Sequence, residues 1–87
     1  MNDAGSEDFA QSLENDLTDR YGPLMPSSVL VRVLGYASAD AFRQSLARKT
    51  VPVPVFRMPS RRGHFALTHD VAQWLAKQRQ AAVDAKR

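Results

Sequence analysis

The stretch PSSVLVRVLGYASADAFRQSLARK, residues 26–49, contains two short helical patterns separated by a glycine. The first opens at Pro26-Ser27-Ser28, where a serine side chain can accept a hydrogen bond from an otherwise unpaired amide. Gly35 ends it, because glycine readily adopts positive φ at the end of a helix. Ser38 is expected to cap the second pattern, which continues to about Lys49. Two short helices joined by a tight glycine-containing turn predict a helix-turn-helix unit.

The second of these helices has two different faces. Ala41, Phe42 and Leu46 are expected to point towards the core. The opposite face is small and polar, and it comprises Arg43, Gln44, Ala47 and Arg48. A helix of this kind fits the major groove of DNA. There arginine can form two hydrogen bonds with guanine, and glutamine can form two with adenine.

The ends of the same helix suit phosphate groups. Asp40 in its first turn complements the helix dipole. Ser38, together with the helix N-terminus, and Lys49 at the other end are expected to contact the DNA backbone.

A hairpin is predicted after the second helix. Pro52 and Pro54 favour an extended connector. Val55–Met58 and His64–Leu67 are then expected to be strands around the turn of residues 59–63. The hairpin is predicted to contact phosphates or the minor groove through Arg57, Ser60, Arg61, Arg62 and His64, with the adjacent pair Arg61 and Arg62 at its tip.

Helices are expected on both sides of this region. Phe9, Leu13 and Leu17 form one apolar stripe in a helix over residues 8–21, and Thr68 is expected to cap a last helix. We expect residues 1–7 to be a disordered acidic tail, residues 8–82 to form one domain with its core module at 24–76, and residues 83–87 to be a frayed basic end.

The charges are divided unevenly along the chain. Residues 1–20 carry six acidic side chains against one arginine, a net charge of −5, whereas residues 21–87 carry eleven basic side chains against three acidic ones, a net charge of +8. A basic body is typical of proteins that bind polyanions. A solvated basic surface is the alternative, and charge by itself does not separate the two.

Several classes of function are disfavoured. The chain has no cysteine, which excludes disulfides and thiolate metal sites. His64 and His69 have no obvious third ligand, and no phosphate-binding glycine loop or activated serine is present. We therefore expect no enzyme, no metal or other cofactor and no small-molecule ligand. Without a run of about 18 apolar residues or a secretory signal, a cytoplasmic, nucleoid-associated protein that does not span a membrane is expected.

The order of these motifs resembles the MerR and excisionase superfamily of winged helix-turn-helix proteins, especially the small AlpA-like regulators. The resemblance rests on the turn at residues 34–38, Phe42-Arg43, Val51-Pro52-Val53-Pro54, the tip Arg61-Arg62 and the segment 70–75. It implies a mainly α fold with a small β-hairpin wing. It also implies regulation of a phage, plasmid or other mobile element. Unlike the family pattern, the turn carries one extra residue and Thr50 stands where a glycine often ends the recognition helix.

The leading hypothesis is a transcriptional regulator that binds double-stranded DNA in a sequence-specific way. An excisionase-like factor that bends DNA is one alternative, and an interaction adaptor that has lost DNA binding is another. If the protein binds DNA, the polar face of the recognition helix and the tip arginines form the DNA-binding surface. The alternative is that they are ordinary solvated charges.

The acidic first helix has three interpretations. Its apolar stripe can cover the domain's own core, which is the favoured interpretation. It can instead pair with a second copy in a homodimer, or the acidic segment can compete with DNA for the basic surface.

Overall fold

The computed structural model of the chain describes residues 3–86, with side chains from residue 7 onward, and it is mainly helical over that range. Its elements are α1 (Asp3–Tyr21), β1 (Leu24–Pro26), α2 (Ser27–Val33), α3 (Ala39–Arg48), β2 (Phe65–Leu67) and α4 (Thr68–Ala85). The two strands form one small antiparallel sheet. This arrangement is compatible with a winged helix.

Helices α1 and α4 form an antiparallel pair. Glu14 Oε1 lies 2.8 Å from Nδ1 of His69, and further along the pair the guanidinium of Arg79 lies 4.5 Å from the ring centre of Phe9. Ala10 is buried, and of the apolar stripe Leu17 packs against the hydrophobic core. The pair therefore extends the hydrophobic core along two long helices.

The helices of this pair reach into both predicted terminal segments. α1 begins at Asp3 rather than residue 8, and α4 continues to Ala85 through the segment that was expected to fray. Residues 1, 2 and 87 of the predicted tails lie outside the described range. The acidic start of α1 suits the positive end of the helix dipole, and a long partner helix gives each helix a surface to pack on.

The sheet differs from the predicted hairpin. β2 pairs with β1, through Leu24↔Leu67, Met25↔Ala66 and Pro26↔Phe65, and not with a strand at residues 55–58. Of those residues Phe56 alone pairs, in an isolated bridge whose two hydrogen bonds to Phe65 are 2.9 and 2.8 Å long. Pro54 and Pro59 bracket this segment and lack backbone donors, which limits the ladder to one bridge.

The core is small and combines residues from the two strands, three helices and the connector. Its buried cluster comprises Met25, Leu30, Phe42, Val53, Ala66 and Val71. The strands thus contribute one side of the core, and α2, α3, α4 and the connector contribute the rest. Because the connector residue Val53 is only 6% exposed, the proline-rich segment is packed rather than loose.

Thr68 does not cap α4, contrary to the prediction. The N-cap position is Leu67, and the hydroxyl of Thr68 donates instead to the carbonyl of Gly22 at 2.6 Å. The backbone N–H of Thr68 donates to Pro23 O at 2.9 Å, and the residue is only 1% exposed. Thr68 therefore joins the start of α4 to the turn after α1.

We expect Thr68→Val to lower the free energy of unfolding by about 1–3 kcal/mol, because it leaves the Gly22 carbonyl without its donor in a buried place. The matched control is Thr50→Val, since the Thr50 hydroxyl bonds Ser45 in an exposed position where water can replace it. Urea denaturation of both variants measures the difference. Equal losses would show that the hydrogen bond to Gly22 adds nothing specific.

Candidate nucleic-acid interface

The turn between α2 and α3 is held by backbone hydrogen bonds and by two aromatic rings. Gly35 has φ +84°, its N–H donates to Arg32 O at 3.3 Å, and the next N–H, of Tyr36, donates to Val31 O at 2.9 Å. This is the Schellman arrangement that ends many helices. The Tyr36 ring then meets Phe42 edge-on, with centroids 5.4 Å apart. Tyr36 thus fixes the turn to α3.

The predicted features of α3 are confirmed at its start. Ser38 is the N-cap, and its hydroxyl accepts a hydrogen bond from the N–H of Ala41 at 3.0 Å. Phe42 is buried, and Leu46 packs against the core. The predicted polar residues Arg43, Gln44, Ala47 and Arg48 are all exposed. The helix therefore presents an open face of mixed polar and basic groups.

Lys49 ends α3 in a conformation that is unfavourable for lysine. Its φ and ψ are 60° and 40°, the left-handed region, and the N–H of Thr50 donates to Ser45 O at 2.9 Å. Glycine usually occupies such a position because a Cβ is strained there. The Lys49 ammonium group places a positive charge at the negative end of the helix dipole. It is exposed and free to face a polyanion.

Residues 57–64 form the loop that we call the wing loop. Arg61 N–H donates to Met58 O at 3.2 Å, and Ser60 has φ +63°, the pattern of a type II turn with Pro59 at its second position. Arg57, Ser60, Arg61 and Arg62 are exposed. The loop tip therefore holds two adjacent guanidinium groups in solvent, as predicted, although it is flanked by a single bridge and not by a two-stranded hairpin.

The base of the wing loop is attached to α2 by a contact that was not predicted. The Ser27 hydroxyl donates to the carbonyl of His64 at 3.1 Å. The backbone N–H of His64 in turn donates to Oγ of Ser27 at 3.3 Å. Ser27 is therefore not a side-chain cap; the N-cap of α2 is Pro26. No local sequence signal predicts a hydrogen bond across 37 residues.

Helix α2 separates the two predicted DNA-contacting segments. The wing loop is attached to Ser27, the first residue of α2, and the turn to α3 follows Val33, the last residue of α2. Seven helical residues span about 10 Å at 1.5 Å per residue. The attachment points of the wing loop and of α3 are thus held a fixed short distance apart.

A second unpredicted contact lies on α3. The carboxylate of Asp40 accepts a hydrogen bond from Nη2 of Arg43, one turn further along the helix. Asp40, Arg43, Gln44 and Ala47 follow the i, i+3, i+4, i+7 spacing of one exposed strip, which we call the outer strip. Asp40 therefore has a partner as well as the helix dipole, and its i, i+3 spacing to Arg43 is the sequence pattern that indicates this pair.

The two histidines lie in different parts of the molecule. His64 is half-buried at the base of the wing loop, and His69 contacts Glu14 between α1 and α4. Among the side chains that the structure describes, those of residues 7–86, no group of three or more potential ligands could hold a metal ion. Across residues 3–86 no helix has the length and apolar character needed to cross a membrane.

These features define a small helical domain with a helix-turn-helix pair, a two-stranded sheet and an arginine-tipped loop. The chain belongs to the family of the pyocin activator protein PrtN, whose model matches residues 15–82. This is a family of small regulators, consistent with a DNA-binding regulator, and the match does not extend to the MerR and AlpA-like proteins that the motifs resemble. No curated protein and no solved structure matches the chain significantly.

We expect Lys49→Gly to raise the free energy of unfolding by about 0.5–1 kcal/mol, because glycine relieves the left-handed strain at the end of α3. Lys49→Ala, which removes the same charge but keeps a Cβ, is the control and is expected to give no such gain. Thermal unfolding of the two variants checks this. If alanine stabilises as much as glycine, the charge and not the backbone is responsible.

Proposed function

We propose that the chain is a transcriptional regulator that binds double-stranded DNA with α3 in the major groove and the wing loop against the backbone or minor groove. The observation that supports this most directly is the pairing of an exposed polar recognition helix with an exposed arginine tip, both anchored on α2. Membership of a pyocin activator family supports the regulatory role. The resemblance to winged helix-turn-helix regulators supports the same docking.

The dimensions and chemistry of α3 suit the major groove. Ten residues give a helix about 15 Å long, and the groove is about 12 Å wide. In the proposed complex Arg43 reads guanine and Gln44 reads adenine. Ala47 allows close approach, and Arg48 supplies a further long donor. Lys49 and the N-terminal end at Ser38 contact phosphates on either side.

The wing loop supplies contacts that do not depend on sequence. Arg61 and Arg62 neutralise phosphates or enter the adjacent minor groove, and Arg57, Ser60 and His64 line the flanks of the loop. Guanidinium groups suit this role because they stay charged and donate several hydrogen bonds. The two tip arginines are expected to set the strength of binding, while α3 sets its selectivity.

The proposal assigns the remaining parts of the chain a supporting role. α1 covers part of the core and packs mainly on α4. A second copy is a further proposed partner, because regulators of this architecture commonly bind two half-sites. No catalytic step, cofactor or small-molecule ligand enters the proposal, and the expected location is with the DNA in the cytoplasm.

Selection from a random pool of DNA duplexes at physiological salt tests this function. We expect enrichment of a short motif by the full chain, and two inverted half-sites about one helical turn apart if two copies bind. Retention without enrichment would favour the DNA-bending alternative. No retention even at low salt would contradict the proposal and favour a protein-interaction adaptor.

Replacing Arg61 and Arg62 together with alanine is expected to weaken binding to all duplexes alike. The slope of log affinity against log salt should fall by up to about two, since each phosphate contact contributes about 0.9 to it. Fluorescence anisotropy over a salt series measures this slope.

The matched control for the wing variant is Lys77→Ala with Lys86→Ala, which removes one exposed charge from α4 and one from the residue that follows it. A smaller change in slope is expected, because these lysines lie outside the wing loop. If both double variants change the slope equally, net charge and not the wing loop drives binding.

A further inference from the structure

Asp40 occupies an unexpected position for an acid on a surface proposed to face DNA. It lies in the first turn of α3, and its carboxylate accepts a hydrogen bond from Arg43 Nη2. Both side chains are largely exposed, 73% for Asp40 and 67% for Arg43. Asp40 is thus part of the outer strip, and its only acidic member.

Stability gives a weak reason for this pair. An exposed ion pair at this helical spacing contributes little to stability, and the favourable interaction of an acid in the first turn with the helix dipole is similarly small. Against DNA the same carboxylate is repelled by phosphates. An acid in this place therefore weakens general binding to DNA. A contribution to selectivity would offset that cost.

The ion pair with Asp40 leaves most hydrogen-bond donors of the Arg43 guanidinium available for a base. A guanidinium has five N–H donors, and the contact with Asp40 occupies one of those on Nη2. Two parallel donors remain for O6 and N7 of a guanine. Holding one side of the guanidinium also limits its rotamers, so less conformational entropy is lost when it meets a base.

The carboxylate also has unused acceptor capacity. In the major groove cytosine and adenine present amino donors, whereas guanine and thymine oxygens are acceptors. A carboxylate beside the base that neighbours the Arg43 guanine would accept from an amino group and repel an oxygen. The pair can thereby discriminate at two adjacent positions.

We propose that Asp40 is a positioning and specificity-determining residue, which holds Arg43 for guanine and selects an amino-bearing base at the adjacent position. This inference rests on the proposed function, because it requires α3 to lie in the major groove. It goes beyond that function in assigning selectivity to an acidic side chain that weakens general affinity.

The test is the same duplex selection, performed with the unmodified chain, Asp40→Ala and the control Asp16→Ala, which removes an exposed carboxylate from α1. For Asp40→Ala we expect discrimination at two adjacent base pairs to fall about tenfold, within the range of one bidentate contact. Affinity for random duplex should stay equal or rise, because a negative charge is removed. Asp16→Ala should leave the motif unchanged.

A double-mutant cycle with Arg43→Gln separates positioning from simple charge removal. In the protein that keeps Arg43, Asp40→Ala should reduce guanine discrimination about tenfold. In the Arg43→Gln variant the same change should reduce it less than about twofold, because coupled residues give non-additive effects. Asp40→Glu should restore part of the discrimination by keeping a carboxylate. Unfolding curves confirm that each variant is folded at the binding temperature.

Two results would overturn the inference, and they differ from failure of the proposed function. If the unmodified chain enriches a motif and Asp40→Ala enriches the same motif with equal selectivity, Asp40 plays no part in reading bases. If Asp40→Ala and Arg43→Gln act additively, Asp40 does not position Arg43. Failure of the unmodified chain to bind any duplex would instead reject DNA binding itself, and the inference with it.

Discussion

The structure depends on one antiparallel seam between residues 22–27 and residues 64–68. The β1–β2 ladder forms its middle, with Met25 and Ala66 paired and fully buried. Thr68 closes one end on Gly22 and Pro23, and Ser27 closes the other on His64. The seam joins segments some forty residues apart, so its hydrogen bonds and buried contacts must offset the entropy of closing that loop.

Each end of the seam positions a different part of the molecule. At the Thr68 end, α1 and α4 meet and run back along each other as an antiparallel pair. At the Ser27 end, α2 begins and the wing loop is anchored. The same short sheet thus supports a packing arm on one side and the candidate interface on the other. The wing loop needs this support, because its own hairpin pairing amounts to one bridge at Phe56.

The candidate interface combines one locally determined part with one that depends on the seam. α3 has a side-chain cap at Ser38, a Schellman end at Lys49 and an aromatic contact between Tyr36 and Phe42, all within sixteen residues. The wing loop has a local turn at Pro59-Ser60, but its attachment comes from α2. In the proposed complex this division is useful, because a rigid helix reads bases while an anchored loop grips the backbone.

Local signals in the sequence determined α3 and much of the candidate site. The Ser38 cap, the Gly35 turn, the buried Phe42 and the exposed Arg61-Arg62 tip all follow from interactions within a few residues, and such interactions leave a readable pattern. The regulator class also followed from the order of these motifs, although the family match supports the PrtN family and not the MerR and AlpA-like superfamily specifically.

The tertiary structure alone decided how these pieces are joined. Ser27 and Thr68 look like helix caps, yet both hydroxyls form hydrogen bonds with distant backbone. β1 is a three-residue strand that ends in proline, so it is too short for an alternating apolar and polar pattern to predict it from the sequence. It forms because β2 pairs with it. A serine or threonine can satisfy a nearby amide or a remote carbonyl equally well. Only the packing of the whole chain determines which of the two it meets.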